Sequence, residues 1–65
     1  MKQFRGFRTL EEAKAFRRRD GGYLVWDERT PKRKQLTARG REYEMCVKLG
    51  GLDPKLYPYA VTWGI

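Results

Sequence analysis

Sixty-five residues with 15 Lys and Arg against 8 Asp and Glu, a net charge of +7, suffice for one small domain spanning 1–65 and leave no room for a second core. With no His and one Cys, the chain lacks the usual Ser-His-Asp or Cys-His nucleophile pair, a His-ligated or Cys-rich zinc site and an internal disulfide. No window reaches the roughly 18 apolar residues of a spanning helix, and no apolar leader opens the chain, so the expectation is a cytoplasmic protein without membrane, cofactor or metal.

A charged fraction of 35% and a mean hydropathy of -0.84 lean toward disorder. Against this, Phe4, Phe7, Phe16, Tyr23, Trp26, Tyr43, Tyr57, Tyr59 and Trp63 are spread along the chain, as a core drawing on every segment requires. A chain this short buries only about 60% of the surface it exposes when unfolded, so a partner or a second copy would add to its stability.

In chain order, the segment near residues 2–6 is a candidate third strand, although Phe4 and Phe7 have opposite parity and cannot share one face of an unbroken strand. Thr9-Leu10-Glu11-Glu12 is a capping box, and Arg17-Arg18-Arg19 complement the helix dipole at the other end. These signals predict a helix over 10–19 with Leu10, Ala13 and Phe16 inward, stopped at Asp20-Gly21-Gly22. Tyr23-Leu24-Val25-Trp26 reads as a strand with apolar residues on both faces, hence central or covered on both sides.

Residues 27–35 form a polar connection. Thr37 is an acceptable N-cap for a second helix whose stripe holds Tyr43, Cys46 and Val47, extended backwards by Leu36 and Gly40. Gly40 costs such a helix up to about 1 kcal/mol relative to Ala, or marks a close approach to the sheet or the first helix. Gly50-Gly51 stop this helix, two prolines make 52–58 rigid turn material, and Tyr59-Ala60-Val61-Thr62-Trp63 alternates large and small like a strand with one buried face. The predicted fold is α+β: a small β-α-β-α-β domain with two helices packed on a short two- or three-stranded sheet.

Catalysis finds little support. Glu11, Glu12, Asp20 and Asp53 serve helix ends and a turn, the neighbours Asp27 and Glu28 point apart on an extended chain, and Cys46 falls in a core stripe. Gly21-Gly22 follow a helix, whereas a phosphate-cradling loop precedes one. The expectation is a non-enzymatic binding module.

Nine of the fifteen cations lie between residues 17 and 41. Arg17, Arg18 and Arg19 end the first helix, Arg29, Lys32, Arg33 and Lys34 fill the connection, and Arg39 and Arg41 enter the second helix. Gathered on one surface they would neutralise phosphates. The first reading is therefore contact with nucleic acid, DNA or RNA undetermined, through Arg17, Arg18, Arg19, Lys32, Arg33, Lys34, Arg39 and Arg41, with little sequence specificity. The second is a protein-interaction module, a small regulator or inhibitor or a homodimer. If both helices packed on one face of the sheet, an aromatic face carrying Tyr23 or Trp26, extended by Trp63, would be left open to dock a partner. Lys2, Arg5 and Arg8 are read as keeping an edge strand soluble.

Overall fold

The structure is a computed structural model that describes residues 3–28 and 35–64. Its elements follow the order β1 (Gln3–Phe7), α1 (Leu10–Asp20), β2 (Tyr23–Trp26), α2 (Ala38–Gly50) and β3 (Tyr59–Trp63). Both helices begin where a threonine hydroxyl takes up an orphan backbone donor: Thr9 Oγ1 accepts from Glu12 N–H at 3.2 Å, and Thr37 Oγ1 accepts from Gly40 N–H at 3.3 Å. At the end of α2, Gly51 adopts the left-handed conformation (φ 77°). The Leu52 N–H then turns back onto the Cys46 carbonyl at 3.2 Å, which folds Leu52 into the core.

The three strands form one antiparallel sheet in the order β1-β3-β2, so β1 and β2 run parallel with β3 between them. The register sets Trp63 opposite Gln3, Val61 opposite Arg5 and Leu24, and Tyr59 opposite Phe7 and Trp26. Side chains alternate across a strand. One face therefore presents Phe7, Leu24, Tyr59, Val61 and Trp63, and these pack with Ala13, Leu10 and Phe16 of α1. The opposite face presents Phe4, Val25 and Ala60, which pack with Tyr43, Cys46 and Val47 of α2 and with Leu52.

This two-sided packing corrects the expectation that both helices share one face. α1 and α2 cover opposite sides, so neither face of the sheet is left wholly open. It also corrects the reading of β3 as a strand with one buried face. As the central strand it is covered twice, and Ala60, Val61 and Thr62 are buried in succession. β2 is covered on both faces as expected, yet it lies at an edge of the sheet. Phe4 and Phe7, of opposite parity, go one to each layer. Tyr43 is fully buried, and its hydroxyl donates to the Tyr57 carbonyl at 2.7 Å, tying α2 to the turn before β3. Asp53 shapes that turn, its carboxylate accepting from Lys55 N–H at 2.9 Å and its carbonyl from Tyr57 N–H at 2.8 Å.

Candidate nucleic-acid interface

The basic residues fall into two groups around β2. The first lies where α2 begins. Glu28, just beyond β2, accepts from Thr37 twice, from the backbone N–H at 3.1 Å and from the hydroxyl at 2.7 Å. That pair pins together the two ends of the connection between β2 and α2 and so fixes where α2 starts. One turn in, the Arg39 guanidinium lies 4.4 Å from the centre of the Trp26 ring and 5.1 Å from that of Tyr23. Those side chains leave β2 on opposite faces, so a single guanidinium reaches both by sitting against the free edge of the strand. Its Nε is buried without a hydrogen-bond partner. Arg41, two residues on and so turned to a different side of the helix, is exposed and borders a shallow surface made with Leu36, Glu44, Met45, Lys48 and Leu49.

The second group closes α1. Arg17, Arg18 and Arg19 are all exposed, and Arg19 Nε donates to Asp20 Oδ2 at 3.0 Å. Only Gly21 and Gly22 separate this end from Tyr23, the residue that Arg39 reaches from the α2 side. The two groups therefore flank the same strand from opposite layers of the molecule. On its other flank, α1 forms a groove against the sheet, with a volume of about 470 Å³, lined by Arg5, Phe16, Arg19, Asp20 and Trp63. Phe7, Phe16 and Trp63 make a ladder of tilted rings with centroids 5.3 and 5.5 Å apart. The Arg5 guanidinium lies 5.9 Å from both phenylalanine rings.

Of the eight cations expected to contact nucleic acid, Arg39 and Arg41 lie in the first turn of α2, turned to different sides of it, and Arg17, Arg18 and Arg19 in the last turn of α1. Lys32, Arg33 and Lys34 lie outside the described residues. The three aromatics expected to dock a protein separate: Tyr23 and Trp26 hold Arg39, whereas Trp63 lines the groove beyond α1. Tyr23 is the most open of them at 41% exposure. More exposed than Tyr23 are Met45 at 52% and Leu49 at 80% on α2, and Leu56 at 49% in the turn before β3.

Arg5, expected from the sequence to keep an edge strand soluble, also lies over Phe7 and Phe16 and lines the groove with Trp63. The cause is the pairing of Gln3 with Trp63, a register across 60 residues that no single segment announces. Cys46 is buried, in keeping with a core role. Among the described residues no cluster of His, Cys, Asp or Glu could hold a metal ion, and no helix is long and apolar enough to cross a membrane. No known protein family, curated protein or solved structure matches the chain significantly.

Proposed function

We propose that this protein is a non-enzymatic module that binds nucleic acid through its Lys and Arg surface, with little sequence specificity. The observation that carries the reading is Arg39 resting on Tyr23 and Trp26 of β2, with an exposed Arg41 two residues along α2 and exposed Arg17 and Arg18 at the end of α1, the helix that leads into β2. Among the described residues, neither Arg17, Arg18 nor Arg41 is paired with a carboxylate. Stacking uses the face of a guanidinium and leaves its in-plane donors available, and a stacked side chain has less freedom to lose when a phosphate arrives. With Nε of Arg39 turned into the protein, the terminal Nη donors are the ones left for a ligand. Long cationic side chains on helix ends contact phosphates without reading base edges, which is why little specificity is expected.

The test is the salt dependence of binding to a labelled duplex. Each phosphate neutralised contributes about -0.9 to the log–log slope of affinity against salt. Arg39→Ala should reduce the slope by about one, Arg17→Ala with Arg18→Ala by about two, and Ala at Lys32, Arg33 and Lys34 by up to about three. Circular dichroism on each variant separates lost binding from lost fold. Absence of binding at low salt, or slopes unchanged in all three variants, would sink the proposal.

A further inference from the structure

The groove beyond α1 has features that a purely electrostatic surface does not need. Five side chains from β1, α1 and β3 line it, two of them cationic and two aromatic. Its volume of about 470 Å³ falls within the roughly 300–1,000 Å³ common for small-ligand sites. Phe7, Phe16 and Trp63 already pack ring to ring, and Trp63, half-buried at the end of this ladder, borders the cavity. Arg5 lies over the two phenylalanines, and Arg19 is held through Nε by Asp20. The groove therefore combines two cations and two aromatic rings with one carboxylate, which is bonded to Arg19.

We propose that this groove receives an unpaired base of a single-stranded nucleic acid, stacked on Trp63, with the adjoining phosphate held between Arg5 and Arg19. The inference rests on the polyanion reading above and adds a preference to it. A duplex offers no free base face, since each base is stacked above and below, so only a single strand can use the ring. Asp20 makes the groove a poor seat for a bare anion, so the base is what selects it. Neither Arg5 nor a stacking role for Trp63 belongs to the surface invoked for duplex binding, and the two readings can therefore fail separately.

The experiment uses the Trp26→Phe protein, in which Trp63 is the one indole and a ring is kept for Arg39. Oligothymidylate, a duplex of the same length and inorganic polyphosphate are titrated at low salt while Trp63 emission and affinity are followed. Oligothymidylate is expected to quench Trp63, and duplex and polyphosphate to leave it unchanged. Arg5→Ala, a change at an exposed residue, should weaken oligothymidylate by about tenfold with a much smaller effect on duplex. Trp63→Leu should cost the single strand about 5- to 150-fold, the range for loss of one stacked base. Equal affinity for duplex and single strand with constant Trp63 emission, or equal quenching by polyphosphate, overturns the groove and leaves the electrostatic reading standing. Failure of all three ligands to bind overturns both.

Discussion

Gly40 lies directly beneath a carboxylate. A Cβ added there would stand 2.6 Å from Glu28 Oε2 and 2.9 Å from its Cδ. Glu28 is the far end of a flexible side chain, which normally gives way, but here it is held by two hydrogen bonds from Thr37. The closest approach at Gly40 is thus to this clamp. In a helix interior Ala is favoured over Gly by about 1 kcal/mol, so the clash and the propensity oppose one another. Gly40→Ala should destabilise the protein by about 1 kcal/mol or more, whereas the same change made in Glu28→Ala should stabilise it by up to about 1 kcal/mol. Urea denaturation of the four proteins in this cycle reads the sign directly. Stabilisation in both backgrounds would mean that Glu28 swings away at no cost and does not fix the start of α2.

The two helices show how much a cap is worth in different surroundings. Thr9 accepts one bond from its own helix, while Thr37 accepts from Gly40 and also donates to Glu28, so its loss unfastens both α2 and the β2 connection. Thr9→Ala should cost about 1 kcal/mol. Thr37→Ala should cost about 1 kcal/mol beyond that, discounted from the full value of a charge-assisted bond because the pair is exposed. Equal shifts in urea midpoint for the two variants would show that the Glu28 bond adds nothing to the fold. Caps of this kind are written in neighbouring residues, which is why both helix starts, the glycine stops and the strands Tyr23–Trp26 and Tyr59–Trp63 were legible in the sequence. Strand order was not, because it depends on pairings between segments far apart in the chain. Small Ala60 and polar Thr62 disguised the second buried face of β3, and only the covering by both helices makes them core. The candidate site divides in the same way. The arginines of each helix end could be named from local sequence, but the meeting of Arg39 with Tyr23 and Trp26, and of Arg5 with Phe7 and Phe16, follows from how helices and strands are assembled.

At the scale of the whole molecule, a net charge of +7 is confined within 34 × 25 × 19 Å. At an ionic strength of about 0.01 M the screening length is about 30 Å, so nearly every charge acts on every other; at about 0.15 M it is about 8 Å and only near neighbours interact. The ion pairs seen between Arg19 and Asp20 and between Lys48 and Glu44 join long, mostly exposed cations to neighbouring acids, and such surface pairs contribute little. Repulsion among unpaired cations should therefore dominate the long-range electrostatics of the folded state. Added sodium chloride between those two ionic strengths should raise the thermal midpoint by relieving this repulsion, while under the proposed function the same addition should weaken nucleic-acid binding through loss of counterion release. Opposite responses to one variable are the signature of a surface whose cations are unneutralised, and differential scanning calorimetry beside a binding titration in matched buffers measures both. If the midpoint instead fell with salt, attraction would outweigh repulsion in the free protein. The arginines named above would then already have partners of their own, and the surplus charge would lie elsewhere on the surface.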